Sequence, residues 1–315
     1  MAGEEAAGSR RHVPVLLHQA VEALQVQSDG IYLDGTFGRG GHSRAILDRL
    51  GPGGRLFALD RDEQAVACGR ELAREDARFR VEQGCFSGLA EWAETWGVQG
   101  RVNGVLLDLG VSSPQLDEAE RGFSFMHDGP LDMRMDRQRP PTAAQWLAEA
   151  EEAEIARVLW EYGEERQARR IARAIVEQRR QKPIRRTGEL AALIERLIPR
   201  RPGQDGKHPA TRSFQAIRIH INDELGELQR ALAASVDVLA SGGRLAVISF
   251  HSLEDRMVKR FLRDHARPRL VRRGLPPLTD HIRFGQLLPP VRPDEAEQAA
   301  NPRARSAVLR VGVRL

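Results

Sequence analysis

The chain has 315 residues and a formal net charge of +4, long enough to bury a substantial core as one large domain or two of ordinary size. Its two cysteines, Cys68 and Cys85, exclude a disulfide framework and any cysteine-based zinc site. No apolar run approaches membrane-spanning length and no secretory segment is visible, so a cytoplasmic protein with no membrane partner is expected, with residues 1–10 as a disordered tail.

In chain order, Ile31–Asp34 reads as a first strand. It runs into Gly35-Thr36-Phe37-Gly38-Arg39-Gly40-Gly41-His42-Ser43, a glycine-dense turn opening a helix near Ser43. Glycines let the backbone take positive φ and bring its N–H groups close to a ligand, so strand, turn and helix together form a nucleotide-type cofactor site. Dinucleotide binders usually show G-x-G-x-x-G, whereas here an acid stands before the glycines. An acid at that point suits a ligand bearing an ammonium group, such as the methionine part of S-adenosyl-L-methionine. Arg55–Asp60 is a second strand, Phe79–Glu82 a third and Val102–Leu109 a fourth, with a helical stretch at Ala65–Ala73. Strand and helix in alternation imply a parallel sheet with right-handed crossovers.

From Leu116 to His208 no strand is convincing. The spacing predicts helices over Ala143–Tyr162 and over Glu189–Ile198, the latter capped by Thr187 and stopped by Pro199. Residues 117–216 therefore read as an inserted helical domain, with 11–116 and 217–315 forming the sheet domain. Phe214, Ile217, Ile221, Leu225, Leu228 and Leu232 predict one long helix back to the sheet. Gly242-Gly243 turns into a strand at Arg244–Phe250, Ser252 and Asp255 suggest a capping box, and Ser306–Leu315 reads as a closing strand after a proline-rich loop.

Ligands of open parallel sheets sit outside the carboxyl ends of the strands, where Asp34, Asp60, Phe86 and Asp108 converge. Asp60, about twenty residues after the glycine turn, is placed to accept from ribose hydroxyls. Phe86 can lie against an adenine or can be a core ring. Asp108 begins Leu109-Gly110-Val111-Ser112-Ser113-Pro114-Gln115, which resembles in part the catalytic loop of amino-group nucleic-acid methyltransferases but lacks its second proline and its aromatic residue. Base stacking must then come from elsewhere. His42, His208 and His251 are further polar candidates. Two arginine-rich runs, Arg166–Arg186 and Arg256–Arg273, each hold a single acid, Glu177 and Asp264. Either could be a solvated face; two of them beside a cofactor site favour a nucleic-acid partner.

The chain closely resembles the RsmH (MraW) family of 16S ribosomal RNA cytosine-N4 methyltransferases. The similar segments include His12–Leu17, Asp34–Ser43, Ala58–Asp62, Leu107–Leu116, Arg121–Phe125, Gly129–Met135, Tyr162–Glu165, His208–Ala216, Ile248–Arg256 and Asn301–Ser306. This resemblance implies an α/β fold: a Rossmann-like class I S-adenosylmethionine-dependent methyltransferase sheet with an inserted all-helical domain. It also implies 16S rRNA within the small ribosomal subunit as partner, with a homodimer left open, and a target cytidine at the decoding centre. By matching positions it implies Gly40, Gly41, His42, Asp60, Phe86, Asp108 and Gln115 as cofactor contacts, Asp108 as the catalytic residue, and no metal. Gln19 and Cys85 depart from the family's usual Glu and Asn. A nicotinamide-dependent dehydrogenase, a non-catalytic ribosome-assembly factor and a DNA amino-methyltransferase are the competing readings, the first disfavoured by the glycine spacing and the second by the intact acids.

Overall fold

A computed structural model describes residues 14–198, 208–268 and 279–315. The expected tail, His12 and Val13 of the first similar segment, Pro199, and Arg269, Arg272 and Arg273 of the second basic run lie outside the described residues.

Seven strands form one sheet: β1 (Ile31–Asp34), β2 (Arg55–Asp60), β3 (Phe79–Gln83), β4 (Val102–Asp108), β5 (Leu239–Ser249), β6 (Phe284–Leu287) and β7 (Val308–Arg314). Their spatial order is β3-β2-β1-β4-β5-β7-β6, with β7 antiparallel to both its neighbours and all other pairings parallel. The helices are α1 (Leu17–Leu24), α2 (Gly41–Leu47), α3 (Glu63–Glu75), α4 (Leu89–Thr95), α5 (Ser113–Asp117), α6 (Ala143–Glu149), α7 (Glu152–Gly163), α8 (Ala168–Gln181), α9 (Thr187–Leu197), α10 (Thr211–Ile221), α11 (Glu224–Val238), α12 (Ser252–Asp264) and α13 (Glu295–Ala300).

Alternation along each strand builds two cores, because successive side chains point to opposite faces. Tyr32, Leu56, Ala58, Leu106, Ala246 and Ile248 face α1, α2 and α3. Their neighbours Leu33, Phe57, Leu59, Val105, Leu107, Leu245 and Val247 face α4, α11 and α12. Both faces of the central strands are covered, which is why these segments read as unbroken apolar runs. A third core, from Phe123 to Ile217, belongs to the helices between β4 and α11.

The single long helix expected across Phe214–Leu232 is two helices. α10 ends at Ile221 and α11 starts at Glu224, with Asp223 left-handed at φ +48° between them. Buried Asn222 holds the break: its Oδ1 accepts from Met135 N–H at 2.8 Å, and its Nδ2 donates to the carbonyls of Met133 (2.8 Å) and Arg218 (2.9 Å). Phe214 and Ile217 pack in the helical core, whereas Leu228 and Leu232 pack on the sheet. Apolar spacing continues through the break although the packing partner changes.

Other boundaries moved for local reasons. The cap of α12 is His251 with Glu254, not Ser252 with Asp255. Thr187 lies inside α9, its hydroxyl accepting from Gly129 N–H at 3.0 Å instead of capping. β5 begins at Leu239 through a register shift around Gly242, at φ +78°. The short edge strand β6 has no apolar alternation and was missed as part of the proline-rich loop.

Candidate active site

The carboxyl ends of β1, β2, β4 and β5 open onto one cavity of about 940 Å³. At the end of β1, Gly38 (φ +57°) and Gly40 (φ +74°) take backbone conformations that L side chains rarely adopt. α2 starts at Gly41, two residues before the expected Ser43, and a Cβ on Gly41 would fall 2.1 Å from Pro14 Cγ. Asp34, expected to converge on the ligand with Asp60, Phe86 and Asp108, does not line the cavity. It is 1% exposed, and its oxygens accept from Ser43 Oγ–H (2.7 Å) and from Thr36 N–H (3.0 Å). Burial raises its pKa against the pull of these bonds. Asp34 thus closes the turn onto its own strand. Thr36 then extends the link sideways, its Oγ1 accepting from Asp108 N–H at 2.7 Å.

At the end of β2, Asp60 Oδ2 accepts from Gly38 N–H (2.8 Å) and Oδ1 from Asp62 N–H (2.9 Å). Burial pushes its pKa up to about 6 despite both bonds. The next acid, Asp62, accepts from Gln115 Nε2 at 2.8 Å and pairs with Arg121 at 2.8 Å; that guanidinium is only 2% exposed. Gln115 also closes the cap of α5, its Oε1 accepting from Ser112 N–H at 2.9 Å. It lines the cavity, but both ends of its amide already hold the Asp62 and Ser112 loops. Phe86 lines the cavity after β3, with the Arg61 guanidinium 5.9 Å from its ring centre.

At the end of β4, Asp108 Oδ2 lies 3.5 Å from His42 Nδ1. Asp108 Oδ1 and His42 Nε2 are both buried without a hydrogen-bond partner, and both residues line the cavity. Burial lowers the His42 pKa to about 4, so the imidazole is neutral near pH 7 and the contact is not an ion pair. Burial first, then the charges of Asp34 and Glu254, raises the Asp108 pKa well above the ordinary carboxylate value. Buried polar atoms left unpartnered are costly, and both belong to residues of the cavity wall.

Beyond β5 the sequence reading missed a charge network. Glu254, 2% exposed, accepts from Phe250 N–H (2.8 Å) and His251 N–H (3.2 Å), and its other oxygen is 3.1 Å from His251 Nε2. Arg218 grips Glu224 with two bonds of 2.7 Å. Desolvation works against ionised Glu254, but His251 and Arg218 win and hold its pKa low. Glu224, His251 and Glu254 have the reach to hold a metal ion, yet Arg218 already supplies the positive charge there. His208 lies elsewhere, in the helical unit: its Nδ1 accepts from Ala210 N–H at 3.1 Å and its ring packs 4.5 Å from that of Phe125. No periodicity announces Asp62, Arg121 or Arg218, whose partners are remote in sequence or on another element; Glu254 pairs locally, as the capping partner of His251.

Parts of both basic runs fall on helices, α8 and α12. Arg169, Arg170, Arg173 and Arg180 of α8 are exposed, while Arg179 turns inward to the carbonyls of Leu147 and Ala150 at 2.6 and 2.7 Å. On α12, Lys259, Arg260 and Arg263 are exposed, and Arg256 reaches Glu164, just before α8, at 3.3 Å.

A sheet of this order, reversed only at β7, with a glycine turn after β1 and acids ending β2 and β4 around one cavity, is the class I S-adenosylmethionine-dependent methyltransferase fold. Residues 9–314 match the MraW methylase family, and the chain belongs to that family. The chain is 61% identical over 308 residues to "Ribosomal RNA small subunit methyltransferase H" of Thioalkalivibrio sulfidiphilus (strain HL-EbGR7), covering 96% of this chain and 97% of that one. Among solved structures it is similar to an rRNA methylase from Streptococcus thermophilus (TM-score 0.42, 13% identity, 98% of this chain and 99% of that chain). A SAM-dependent O-methyltransferase from Thermotoga maritima also aligns (TM-score 0.42, 9% identity, 97% of this chain and 68% of that chain). The family assignment rests on the sequence matches.

Thr36→Val keeps the side-chain shape but removes the acceptor for Asp108 N–H. Urea unfolding is expected to show a loss of about 1–3 kcal/mol, as for other stranded buried donors; unchanged stability would mean that the β1–β4 link carries no energy.

Proposed function

We propose that this methyltransferase transfers the methyl group of S-adenosyl-L-methionine to N4 of a cytidine in 16S ribosomal RNA, at the decoding centre of the small subunit. The observation that carries this reading is the 61% identity, over 96% of the chain, to a protein named for ribosomal small-subunit RNA methylation. The site fits the donor. Asp60, aligned by two backbone N–H groups, has lone pairs left for ribose hydroxyls; Phe86 offers a ring for the adenine; Gly41 and His42 line the same wall, and Gly40, at φ +74°, shapes the turn that brings them there. Gln115 acts by holding Asp62 and Ser112 in place.

When bound, S-adenosylmethionine supplies the methyl group. The protein's task is set by the acceptor: the N4 lone pair of cytosine is delocalised into the ring, and one N–H proton must leave as the new N–C bond forms. The Asp108 carboxyl, 24% exposed on the cavity wall, accepts that N–H and orients the lone pair. Its raised pKa makes the carboxylate, when ionised, a stronger base than an exposed one. The helical unit, residues 117–216, carries the exposed arginines of α8 and serves as the RNA-recognition insertion, reading shape and phosphates while the base is drawn out to Asp108.

Two outcomes are expected. Protonation of Asp60 removes its acceptor charge, so affinity for S-adenosylmethionine falls as pH drops through about 6. By proton linkage, calorimetry at pH 5 should give about tenfold weaker binding than at pH 7.5, and Asp60→Asn should flatten that dependence; a pH dependence unchanged in Asp60→Asn would remove Asp60 from the ribose role. Small subunits lacking the modification should gain N4-methylcytidine with wild-type protein, by nucleoside mass spectrometry, and the rate should fall by at least about 100-fold with Asp108→Asn. Methylation of duplex DNA in preference to subunits would refute the RNA assignment.

A further inference from the structure

The turn after Asp108 contains no aromatic residue, so a cytosine held there needs a ring from another element. Among the described residues, four aromatic ones line the cavity: Phe37, His42, Phe86 and Phe250. Phe37 is 3% exposed and packs against Phe79, with ring centres 5.5 Å apart. Phe86 follows β3, at the far end of the order β3-β2-β1-β4-β5. His42 contacts the Asp108 carboxyl itself. Phe250 follows β5, the strand next to β4, and is half-buried on the cavity wall.

The structure is built to hold that ring beside the Asp108 loop. Leu109 N–H donates to Ile248 O at 2.9 Å, keeping the ends of β4 and β5 together. Gly110, at φ +101°, has no side chain, and the place where its Cβ would sit is 3.5 Å from Phe250 Cδ2. Glu254 fixes the backbone beneath the ring by accepting from Phe250 N–H at 2.8 Å.

We infer that Phe250 is the platform on which the target base stacks while Asp108 engages its amino group. This inference rests on the proposed RNA acceptor. Asp60 and Phe86 would hold the adenosine at the β2–β3 end, and Asp108 and Phe250 would hold the base at the β4–β5 end of the same cavity. Stacking on a ring is how unpaired bases are commonly held, because every base offers a π-face.

The test uses the full-length protein with unmodified small subunits as acceptor, comparing wild type, Phe250→Leu and Phe250→Tyr. Leucine preserves apolar packing without a ring; kcat/KM for subunits should fall about 10- to 100-fold, the usual cost of losing a base–aromatic stack. Calorimetric affinity for S-adenosylmethionine should stay within about twofold, because the ring lies away from the adenosine end, and Phe250→Tyr should retain near-wild-type kcat/KM. Equal activity of wild type and Phe250→Leu overturns the stacking role alone, as does a loss shared by Phe250→Tyr or a matching loss of S-adenosylmethionine affinity. A wild-type protein that leaves the cytidine unmethylated overturns the acceptor assignment, and the stacking role with it.

Discussion

Three carboxylates at neighbouring strand ends, one buried and two half-buried, are the constraint around which the site is organised. Asp34, Asp60 and Asp108 are like charges in a desolvated place, and each would rather be neutral or elsewhere. Asp34 is stabilised by Ser43 and Thr36, and Asp60 by the N–H groups of Gly38 and Asp62. Asp108 receives least, for its backbone is held by Thr36 while one carboxylate oxygen has no partner. The least satisfied carboxylate is the one to which the proposed mechanism gives the chemistry.

The same edge divides the labour. Its β2–β3 end presents an aligned acceptor and a ring, and its β4–β5 end presents Asp108, Gly110 and Phe250. Thr36 ties the halves together through one hydroxyl. The helical unit joins the site through Asn222, Arg218 and Arg121, whose polar ends reach Met133, Glu224 and Asp62. Domain placement and site geometry therefore share the same buried bonds.

Much of this was legible in the chain. Buried parallel strands declare themselves as apolar runs ending in acids, and order along the sheet follows from crossover handedness, so Asp60, Phe86 and Asp108 could be placed on one edge before any coordinates. Other features had no local signal. Asp34 reads like a ligand contact because its bond to Ser43 depends on how the turn folds back. The α10–α11 break hides in continuous spacing, since each half finds a different core. The Asp62–Arg121 pair depends on a meeting of distant side chains that spacing does not encode, whereas the Glu254 support under Phe250 is a local capping contact four residues along.

The central claim is that this edge methylates one cytidine of 16S ribosomal RNA. It is tested most directly by nucleoside mass spectrometry of that RNA from cells in which the gene for this chain is deleted. The account predicts that N4-methylcytidine disappears and returns when the wild-type gene is restored. Undiminished N4-methylcytidine in the deletion strain would contradict it.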